Sequence, residues 1–325
     1  MREPESLWST DVPEERLRLS AYGHRKKGRC VLREKHQVKY AFVLEHEGTF
    51  RVRLMCRVLD LSPSGYYAWK VRRPHTCRRT GQRQQFDERV RHHFNANKGR
   101  YGAPRLVRDL RAAHGPVSRK TVAKCMRNMN LRAKAARRFK ATTNSNHTLP
   151  VAANLLQQDF SATAIDQKWV GDITYLWTDE GWLYLATVID VYSRRVIGWS
   201  MASTMTAQLA CDALTMALRQ RGHPTQVIVH TDRGSQYCSA DYQSVITQHK
   251  LRCSMSRKGN CYDNAMAESF FHSLKVEAIH GTRCKTRDEM KRTVFEYIEV
   301  DYNRSRRHSA IGYISPMTFE IQTLA

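Results

Sequence analysis

The hydrophobic pattern divides the chain into an N-terminal part with helical periodicity and a C-terminal part in which short apolar runs alternate with helices. From Val38 onward apolar residues recur at helical spacing, and Phe50, Leu54 and Val58 share one helical face. From residue 168 onward the chain contains runs rich in β-branched and aromatic residues that end at turn signals. The pattern therefore predicts an all-α region followed by an α/β region.

A first helix-turn-helix unit is predicted over residues 37–80, after a basic, mobile arm over residues 1–36. Ser62 and Pro63 begin a short second helix after a turn, since they suit an N-cap and a first helical position. Its aromatic residues, assigned to the core rather than to base stacking, are Tyr66, Tyr67 and Trp69. The arginine-rich run 71–85 that follows is predicted to be an exposed linker.

A second helix-turn-helix unit is predicted over residues 81–150, which end in a polar linker. Leu106 and Leu110 give its first helix an apolar face, residues 114–116 break that helix, and Ser118 caps the next one. This next helix has an inward face formed by Val122, Met126 and Met129 and a set of cations formed by Arg119, Lys120, Lys124 and Arg127. Because a cationic helix face suits contact with phosphates, we predict that these four cations bind DNA.

Three consecutive strands, followed by alternating helices and strands, are predicted after residue 166. The predicted strands are 168–177, 182–191, 195–201, 226–232 and 251–255, and the predicted helices are 207–219, 240–250, 265–277 and much of 286–322. This order indicates a mixed α/β sheet, in which an antiparallel meander is extended by parallel strands and flanked by helices.

Three acids in this region have the arrangement that a metal site requires. Asp172 lies in the middle of an apolar strand, where a buried carboxylate needs a strong partner such as a metal ion. Asp232 ends a second strand, and Glu268 lies in the first turns of a helix. Mg²⁺ prefers carboxylate oxygens, and two such ions about 4 Å apart can support phosphoryl transfer. A single acid at a strand end is more often a turn or cap residue, so only the set of three is specific.

The short sequence motifs around these acids resemble those of the second-reading-frame (OrfB) transposases of the insertion-sequence-three family. They are Asp-Ile-Thr-Tyr at 172–175, Val-Ile-Asp-Val-Tyr-Ser-Arg-Arg at 188–195, His-Thr-Asp-Arg-Gly-Ser-Gln-Tyr at 230–237 and Ser-Arg-Lys-Gly-Asn-Cys-Tyr-Asp-Asn-Ala at 256–265. Asp172, Asp232 and Glu268, with 35 residues between the last two, resemble the acid triad of DDE transposases and retroviral integrases. The likeness covers roughly residues 40–322.

This resemblance implies a ribonuclease H-like catalytic core and DNA transposition. Cleavage at an element's terminal inverted repeat would free a 3′-hydroxyl, which then attacks another phosphodiester. The resemblance also implies that Asp172, Asp232 and Glu268 bind two Mg²⁺ ions, for which Mn²⁺ can substitute. Lys275, two helical turns after Glu268, matches a family position that holds DNA near the metals.

Two histidines are predicted to support this site. His230 precedes Asp232 by two residues and points the same way, so a contact behind the metal ligands is expected. His272 shares the helical face of Glu268 and is predicted to make a packing or phosphate contact, because metal-bound water needs no general base.

The charge of the chain is concentrated in its N-terminal part. The net charge is +24, and residues 1–150 contain 35 Lys and Arg against 12 Asp and Glu, whereas residues 151–325 contain 19 against 18. This partition indicates a polyanion-binding part joined to a near-neutral part with another task. We expect double-stranded DNA as the partner, both terminal inverted repeats and target DNA.

Cysteine usage and hydropathy indicate an intracellular protein. Nine cysteines without a Cys-x-x-Cys pair favour neither a disulfide framework nor a paired-cysteine zinc site. No run reaches the roughly 18 apolar residues of a membrane span, and none resembles a signal peptide. The expected location is the bacterial cytoplasm, at the nucleoid, with no membrane partner.

The predicted organisation places the integrase-like catalytic core at residues 151–285 and a basic helical tail at residues 286–325. Arg306 and Arg307 in this tail are predicted to guide DNA into the site. A homo-oligomer on DNA and an upstream reading-frame (OrfA) partner are expected from the resemblance, since the chain has no sustained leucine heptad of its own. Two rivals are a retroviral-type integrase or ribonuclease H, and a DNA-binding regulator whose integrase-like core is inactive.

Overall fold

The computed structural model describes residue 31 and residues 34–134, 150–257 and 261–324. The chain divides into two compact units, residues 1–89 and residues 90–325. Nearly all of the predicted arm and most of the predicted linker before residue 150 lie outside the described residues. Within the described part of the chain, no helix combines the length and the apolar character needed to cross a membrane.

The first unit is helical and has a small core of its own. Its helices are α1 (His36–His46), α2 (Val52–Val58) and α3 (Pro63–Ala96), the last of which continues into the second unit. The core is formed by buried residues that include Phe42, Val43, Met55, Cys56, Leu59 and Tyr66. The predicted turn before Pro63 is present, and Tyr66 and Trp69 pack in this core while Tyr67 is exposed.

The length of α3 corrects one prediction. Residues 71–85 are not a linker, because α3 runs without a break from Pro63 to Ala96. This segment has little amphipathic pattern to reveal a helix, yet arginine and glutamine are good helix formers. Arg83 also pairs with Asp87 at i,i+4 spacing, with 3.0 Å between Nε and Oδ1.

The second predicted helix-turn-helix has the expected local structure. Its helices are α4 (Ala103–His114) and α5 (Arg119–Asn128). Gly115 ends α4 with a φ of 84°, and the Ser118 hydroxyl accepts a hydrogen bond from the Thr121 N–H at 3.1 Å. This pair of helices groups with the catalytic region, whereas the sequence predicted a domain boundary near residue 150.

A five-stranded sheet forms the centre of the second unit. Its strands are β1 (Lys168–Thr178), β2 (Gly181–Asp190), β3 (Val196–Ala202), β4 (Ile228–Thr231) and β5 (Arg252–Met255), in the order β3-β2-β1-β4-β5. The pairs β1-β2 and β2-β3 are antiparallel, and the pairs β1-β4 and β4-β5 are parallel. The predicted fold class, a ribonuclease H-like mixed sheet flanked by helices, is confirmed.

Helices cover both faces of this sheet. Helices α6 (Ala207–Gln220) and α7 (Ala240–Gln248) share one core with the sheet, whereas α8 (Ala265–Leu274) and α9 (Arg287–Phe295) share the other. The π-helical segments Lys275–Ile279 and Glu296–Ser305 follow α8 and α9, and α10 (Pro316–Leu324) comes last. Helix α6 approaches β3 so closely at Gly198 that a Cβ there would lie 2.2 Å from the Ala213 carbonyl oxygen.

Candidate active site

Strand register brings Asp172 and Asp232 side by side. The last paired residues of the parallel strands β1 and β4 are Val170 and His230. Asp172 and Asp232 each lie two residues after this last β1-β4 pair, so both side chains point to the same face of the sheet. Because neighbouring strands lie about 4.8 Å apart, the two carboxylates are close neighbours. Both side chains are half-buried and retain access to solvent.

The electrostatics at Asp172 reflect this crowding. Burial, and next the charge of Asp232, hold the pKa of the Asp172 carboxyl well above its usual range, with a smaller contribution from Glu268. The Ile173 N–H, which donates to Oδ1 at 2.8 Å, and the charge of Lys275 act in the opposite direction and do not outweigh these effects. The fold thus keeps two acids together at an electrostatic cost.

The loop after β4 fixes the second aspartate. The Gly234 N–H donates a hydrogen bond to Oδ1 of Asp232 at 2.9 Å. A Cβ at Gly234 would lie only 3.0 Å from that oxygen, so glycine permits the close turn. The turn signal read from Arg233, Gly234 and Ser235 therefore serves to orient a carboxylate.

Glu268 lies in the first turn of α8, which packs against the sheet through Phe270, Phe271 and Leu274. Its carboxyl is exposed, its pKa is raised by partial burial, and its charge reaches Asp172. Among the residues that the structure describes, no three His, Cys, Asp or Glu side chains stand close enough together to hold one metal ion. The structure thus assembles the aspartate pair and leaves Glu268 outside a three-ligand group.

Lys275 lies at the end of α8, near the aspartates. Its Nζ is 5.2 Å from the centre of the Tyr175 ring, and its charge interacts with Asp172. Burial lowers the pKa of Lys275, and the Asp172 carboxylate offsets part of this effect. His272, on the same helix, is exposed, which is compatible with a phosphate contact and not with a packing role.

His230 has a different place from the one predicted. Its ring is buried, with Nδ1 2.8 Å from the Ser254 hydroxyl and Nε2 3.1 Å from the Ser256 hydroxyl. Burial lowers its pKa to about 4, so the ring is neutral at pH 7. Both ring nitrogens are used in linking β4 to the β5 region, which argues against the expected contact behind Asp232.

The predicted DNA contacts fall into two groups. Four cations, Arg119, Lys120, Lys124 and Arg127, are exposed on α5, while Val122, Cys125 and Met126 face inward. Arg306 is only 7% exposed, and Arg307 binds the Asp109 carboxylate and the Tyr313 carbonyl. The placement of these two arginines argues against the prediction that they guide DNA.

Glu277 is a structural centre that sequence reasoning missed. It is 6% exposed and lies in the π-helical segment two residues after Lys275. Its carboxylate accepts hydrogen bonds from Arg306 at 2.8 Å, from the Tyr297 hydroxyl at 2.9 Å and from Arg105 at 3.2 Å. Charged donors, above all Arg306, lower its pKa although burial alone would raise it. The signal in the sequence was an acid among the inward-facing apolar residues at the end of α8.

The same centre joins the α4-α5 segment to the catalytic helix. Arg100 and Lys134 donate to the Glu277 carbonyl oxygen at 3.0 and 3.2 Å, and Arg105 lies on α4. The Tyr101 hydroxyl accepts from the Arg307 N–H at 2.9 Å. These hydrogen bonds, together with the ion pair between Arg105 and Glu277, hold the segment to the core.

Family models match most of this unit. Two models described as integrase core domains match residues 162–261 and 268–324, and a model described as an HTH-like domain matches residues 82–139. The mixed sheet, its flanking helices and the neighbouring acids within β1 and just after β4 define an integrase-type, ribonuclease H-like core preceded by an HTH-like domain.

Two similar proteins narrow the class of protein to which the chain belongs. The transposase InsF for insertion sequence IS3A of Escherichia coli strain K12 is 58% identical over 288 residues, which are 89% of this chain and 100% of that protein. The insertion element IS600 uncharacterized 31 kDa protein of Shigella sonnei is 46% identical over 265 residues, which are 82% of this chain and 97% of that protein. The chain belongs to the IS3 family of insertion-sequence transposases.

Solved structures give a weaker likeness. The HTLV-2 integrase catalytic core domain in complex with magnesium is 15% identical with a TM-score of 0.38, over 49% of this chain and 99% of that chain. A chain of the simian T-cell lymphotropic virus intasome in complex with PP2A regulatory subunit B56 gamma is 16% identical with a TM-score of 0.42, over 71% and 74% of the two chains. TM-scores this low do not bear on function.

Proposed function

We propose that this chain cleaves DNA at the ends of an insertion sequence and joins the freed 3′-hydroxyl to another DNA strand. The observation that carries the proposal is the aspartate pair, Asp172 and Asp232, at the same level of adjacent parallel strands. Identity of 58% to a transposase that is matched over its whole length supports DNA as the substrate. Two acids held this close together are costly to the fold and are typical of a functional site.

The donors fit a hard divalent cation. All candidate ligand atoms are carboxylate oxygens, the kind that Mg²⁺ and Mn²⁺ prefer, and both aspartates retain access to solvent. Asp172 and Asp232 would hold the metal, and Glu268 would complete the set of ligands for two Mg²⁺ ions. When bound, the cations would lower the pKa of water and stabilise the leaving oxygen of an in-line displacement.

The remaining residues would position the DNA. Lys275, whose charge reaches Asp172, would bind a phosphate of the strand that is cut. The exposed cations of α5 would bind the duplex of the terminal inverted repeat. A homo-oligomer on DNA, with an upstream reading-frame product as a further partner, would bring two element ends together with target DNA.

Strand cleavage tests the proposal. The purified full-length chain is incubated with candidate element ends and Mg²⁺, and any nick is mapped to the nucleotide. We expect a nick at the end of the inverted repeat that Glu268→Gln abolishes while DNA affinity stays nearly unchanged. The control variant is Asp212→Asn, which changes an exposed acid on α6. This variant should cleave as the wild type does.

Binding without cleavage is the outcome that would contradict this proposal. A DNA-binding regulator with an inactive integrase-like core would bind the same ends and leave them intact at every Mg²⁺ and Mn²⁺ concentration. Cleavage that survives both Glu268→Gln and Asp172→Asn would point to chemistry elsewhere in the chain.

A further inference from the structure

Three large aromatic side chains lie exposed on the β1-β2 hairpin. Tyr175, Trp177 and Trp182 are 41%, 58% and 42% exposed. The Trp182 ring centre is 5.0 Å from that of Tyr175 and 4.8 Å from that of Trp177, both in edge-to-face geometry. A contiguous set of exposed rings on an otherwise packed domain marks a binding surface. We call these three residues the hairpin aromatics.

The hairpin aromatics lie close to the candidate active site along β1. Tyr175 and Trp177 follow Asp172 by three and five residues, or about 10 and 17 Å at the rise of a strand. Stacked nucleotides rise about 3.4 Å each, so these distances span roughly three to five nucleotides. A DNA strand whose phosphate lies at Asp172 would therefore bring the bases three to five nucleotides away to these rings.

Beyond Val170, the described residues leave open the side of β1 that pairs with β4, and a DNA strand could pass there from the acids to the rings. Strand alternation points Asp172 and Tyr175 to opposite faces of the sheet. In the described part of the chain, the ladder between β1 and β4 ends at Val170, although β1 continues to Thr178. Lys275 reaches across this edge, since its charge acts on Asp172 and its Nζ lies over the Tyr175 ring.

The charges around the hairpin aromatics favour a polyanion. Arg287 donates to the Trp182 carbonyl oxygen at 3.0 Å and Lys275 lies over the Tyr175 ring, whereas Arg283 is paired with Asp179 and Glu180 accepts from the Arg287 N–H, so three cations face two acids. Three rings about half exposed offer on the order of 300 Å², well below the roughly 800 Å² per partner of a stable dimer. Nucleobases flanked by phosphates match these rings and cations better than a second copy of this chain does.

We propose that the hairpin aromatics form a stacking platform for unpaired nucleobases about three to five nucleotides from the cleaved phosphate. Every base has a π-face, so stacking on Tyr and Trp holds a frayed strand without reading its sequence. The platform would favour element ends whose terminal base pairs are open and would keep the strand near Asp172. This inference rests on the proposed transposase function and adds the state of the DNA end that the site accepts.

Binding to a matched pair of DNA ends tests the platform. One duplex is fully paired, the other carries mismatches over the five base pairs next to the cleaved phosphate, and both contain 2-aminopurine about four nucleotides from that phosphate. Dissociation constants and fluorescence are measured for the full-length chain without divalent metal, so that no cleavage occurs. We expect about ten-fold tighter binding of the mismatched end, with quenching of the 2-aminopurine fluorescence by stacking.

Substitutions assign this preference to the rings. Trp177→Ala and Trp182→Ala should each remove most of the preference and the quenching, whereas Trp177→Phe should retain them. Phe295→Ala is the matched control, because Phe295 is 51% exposed on α9 and lies outside the hairpin. Equal melting temperatures of the variants would show that each remains folded.

Three results would overturn the platform. The wild type could bind both ends equally, the alanine variants could retain the preference, or Trp177→Ala could change the mass of the free protein in solution and leave DNA binding unaltered. Failure of the proposed function looks different, because the wild type would then cleave neither end when Mg²⁺ is added. A chain that cleaves both ends while its alanine variants keep the preference contradicts the platform alone.

Discussion

This unit contains two carboxylate centres, the half-buried pair Asp172 and Asp232 and the buried Glu277, and their charges are balanced in opposite ways. At the first, Asp172 and Asp232 lie side by side, and burial followed by the charge of Asp232 raises the pKa of Asp172 despite Lys275 nearby. At the second, Glu277 is held by Arg306 and Arg105, and its pKa is lowered. Nearby cations do not neutralise the Asp172–Asp232 pair, whereas Arg306 and Arg105 neutralise the Glu277 carboxylate.

The different charge balance of the two centres distinguishes carboxylates that serve function from a carboxylate that stabilises the fold. A carboxylate that serves the fold is matched with donors, because an unmatched buried charge costs several kcal/mol. A carboxylate pair that the fold holds together at a cost is ready to receive a cation from solution. Because Glu277 lies nine residues after Glu268 in the same helical segment, the stable centre also anchors the helix that carries the third predicted ligand.

The largest effect is expected from Asp172→Asn. Metal stabilisation of a transition state is worth several kcal/mol, so strand cleavage should fall by about a thousand-fold or more. The same change removes a repelled charge, so the unfolding temperature in metal-free buffer at neutral pH should rise. Cleavage assays and thermal melts of the same preparation check both. A variant that is less active and also less stable would contradict the comparison.

The next effect concerns Glu277→Gln. Removing this charge leaves Arg306 buried without its partner, which typically costs about 3–5 kcal/mol in the free energy of unfolding. Chemical denaturation measures the loss. Asp288→Asn, which breaks the exposed pair between Asp288 and Lys291, is the control and should cause no measurable change. Equal stability of the two variants would show that the Glu277 centre does not support the fold.

Much of this architecture could be predicted from the sequence because local pattern determines it. Strand alternation placed β1, β2 and β3 within a residue or two of their observed bounds. The Asp172 and Asp232 strands were likewise predicted, and their parallel pairing sets the two acids side by side. Hydrophobic periodicity and turn residues depend only on neighbouring positions in the sequence, and here the tertiary contacts do not override them.

Long-range electrostatics could not be predicted in this way. Charge alone suggested that Arg306 binds DNA, yet its partner Glu277 is 29 residues away and was not recognised. The helix α3 was missed over residues 71–85 because it lacks an apolar stripe. His230 was assigned by its distance from Asp232, whereas its partners Ser254 and Ser256 come from a later strand.

A smaller effect is expected from acid, through His308 beside the Glu277 centre. Burial, followed by the charges of Arg306, Arg194 and Arg105, lowers the pKa of His308 to about 4, although Glu277 acts in the opposite direction. Because this pKa lies below the unfolded value of about 6.5, protonation favours the unfolded state. Stability should therefore fall as the pH drops below 6.5, by up to about 2 kcal/mol at pH 5.

Denaturation at pH 7 and pH 5 measures this loss. His308→Asn should remove about half of the dependence, because asparagine does not titrate in this range while buried His230, whose pKa is also lowered to about 4, still does. His249, whose ring stacks on that of His223 on the other side of the sheet, provides the control substitution His249→Asn. If His308→Asn retained the full loss, another group would be responsible.

The smallest effect is expected from Arg127→Gln on α5. One phosphate contact fewer should weaken binding alike for all DNA sequences and reduce the salt slope by about one. Fluorescence anisotropy over a series of salt concentrations measures the slope. Arg219→Gln, an exposed arginine on α6, should leave it unchanged. Equal slopes for the two variants would place the DNA away from α5.

Calorimetric titration of Mn²⁺ into the full-length chain tests the central claim most directly. We predict saturable binding to the wild type that Asp232→Asn abolishes and Asp212→Asn leaves intact, because the ion requires the carboxylate pair formed by Asp172 within β1 and Asp232 just after β4. Binding of the same affinity and stoichiometry in the wild type and in Asp232→Asn would contradict the account.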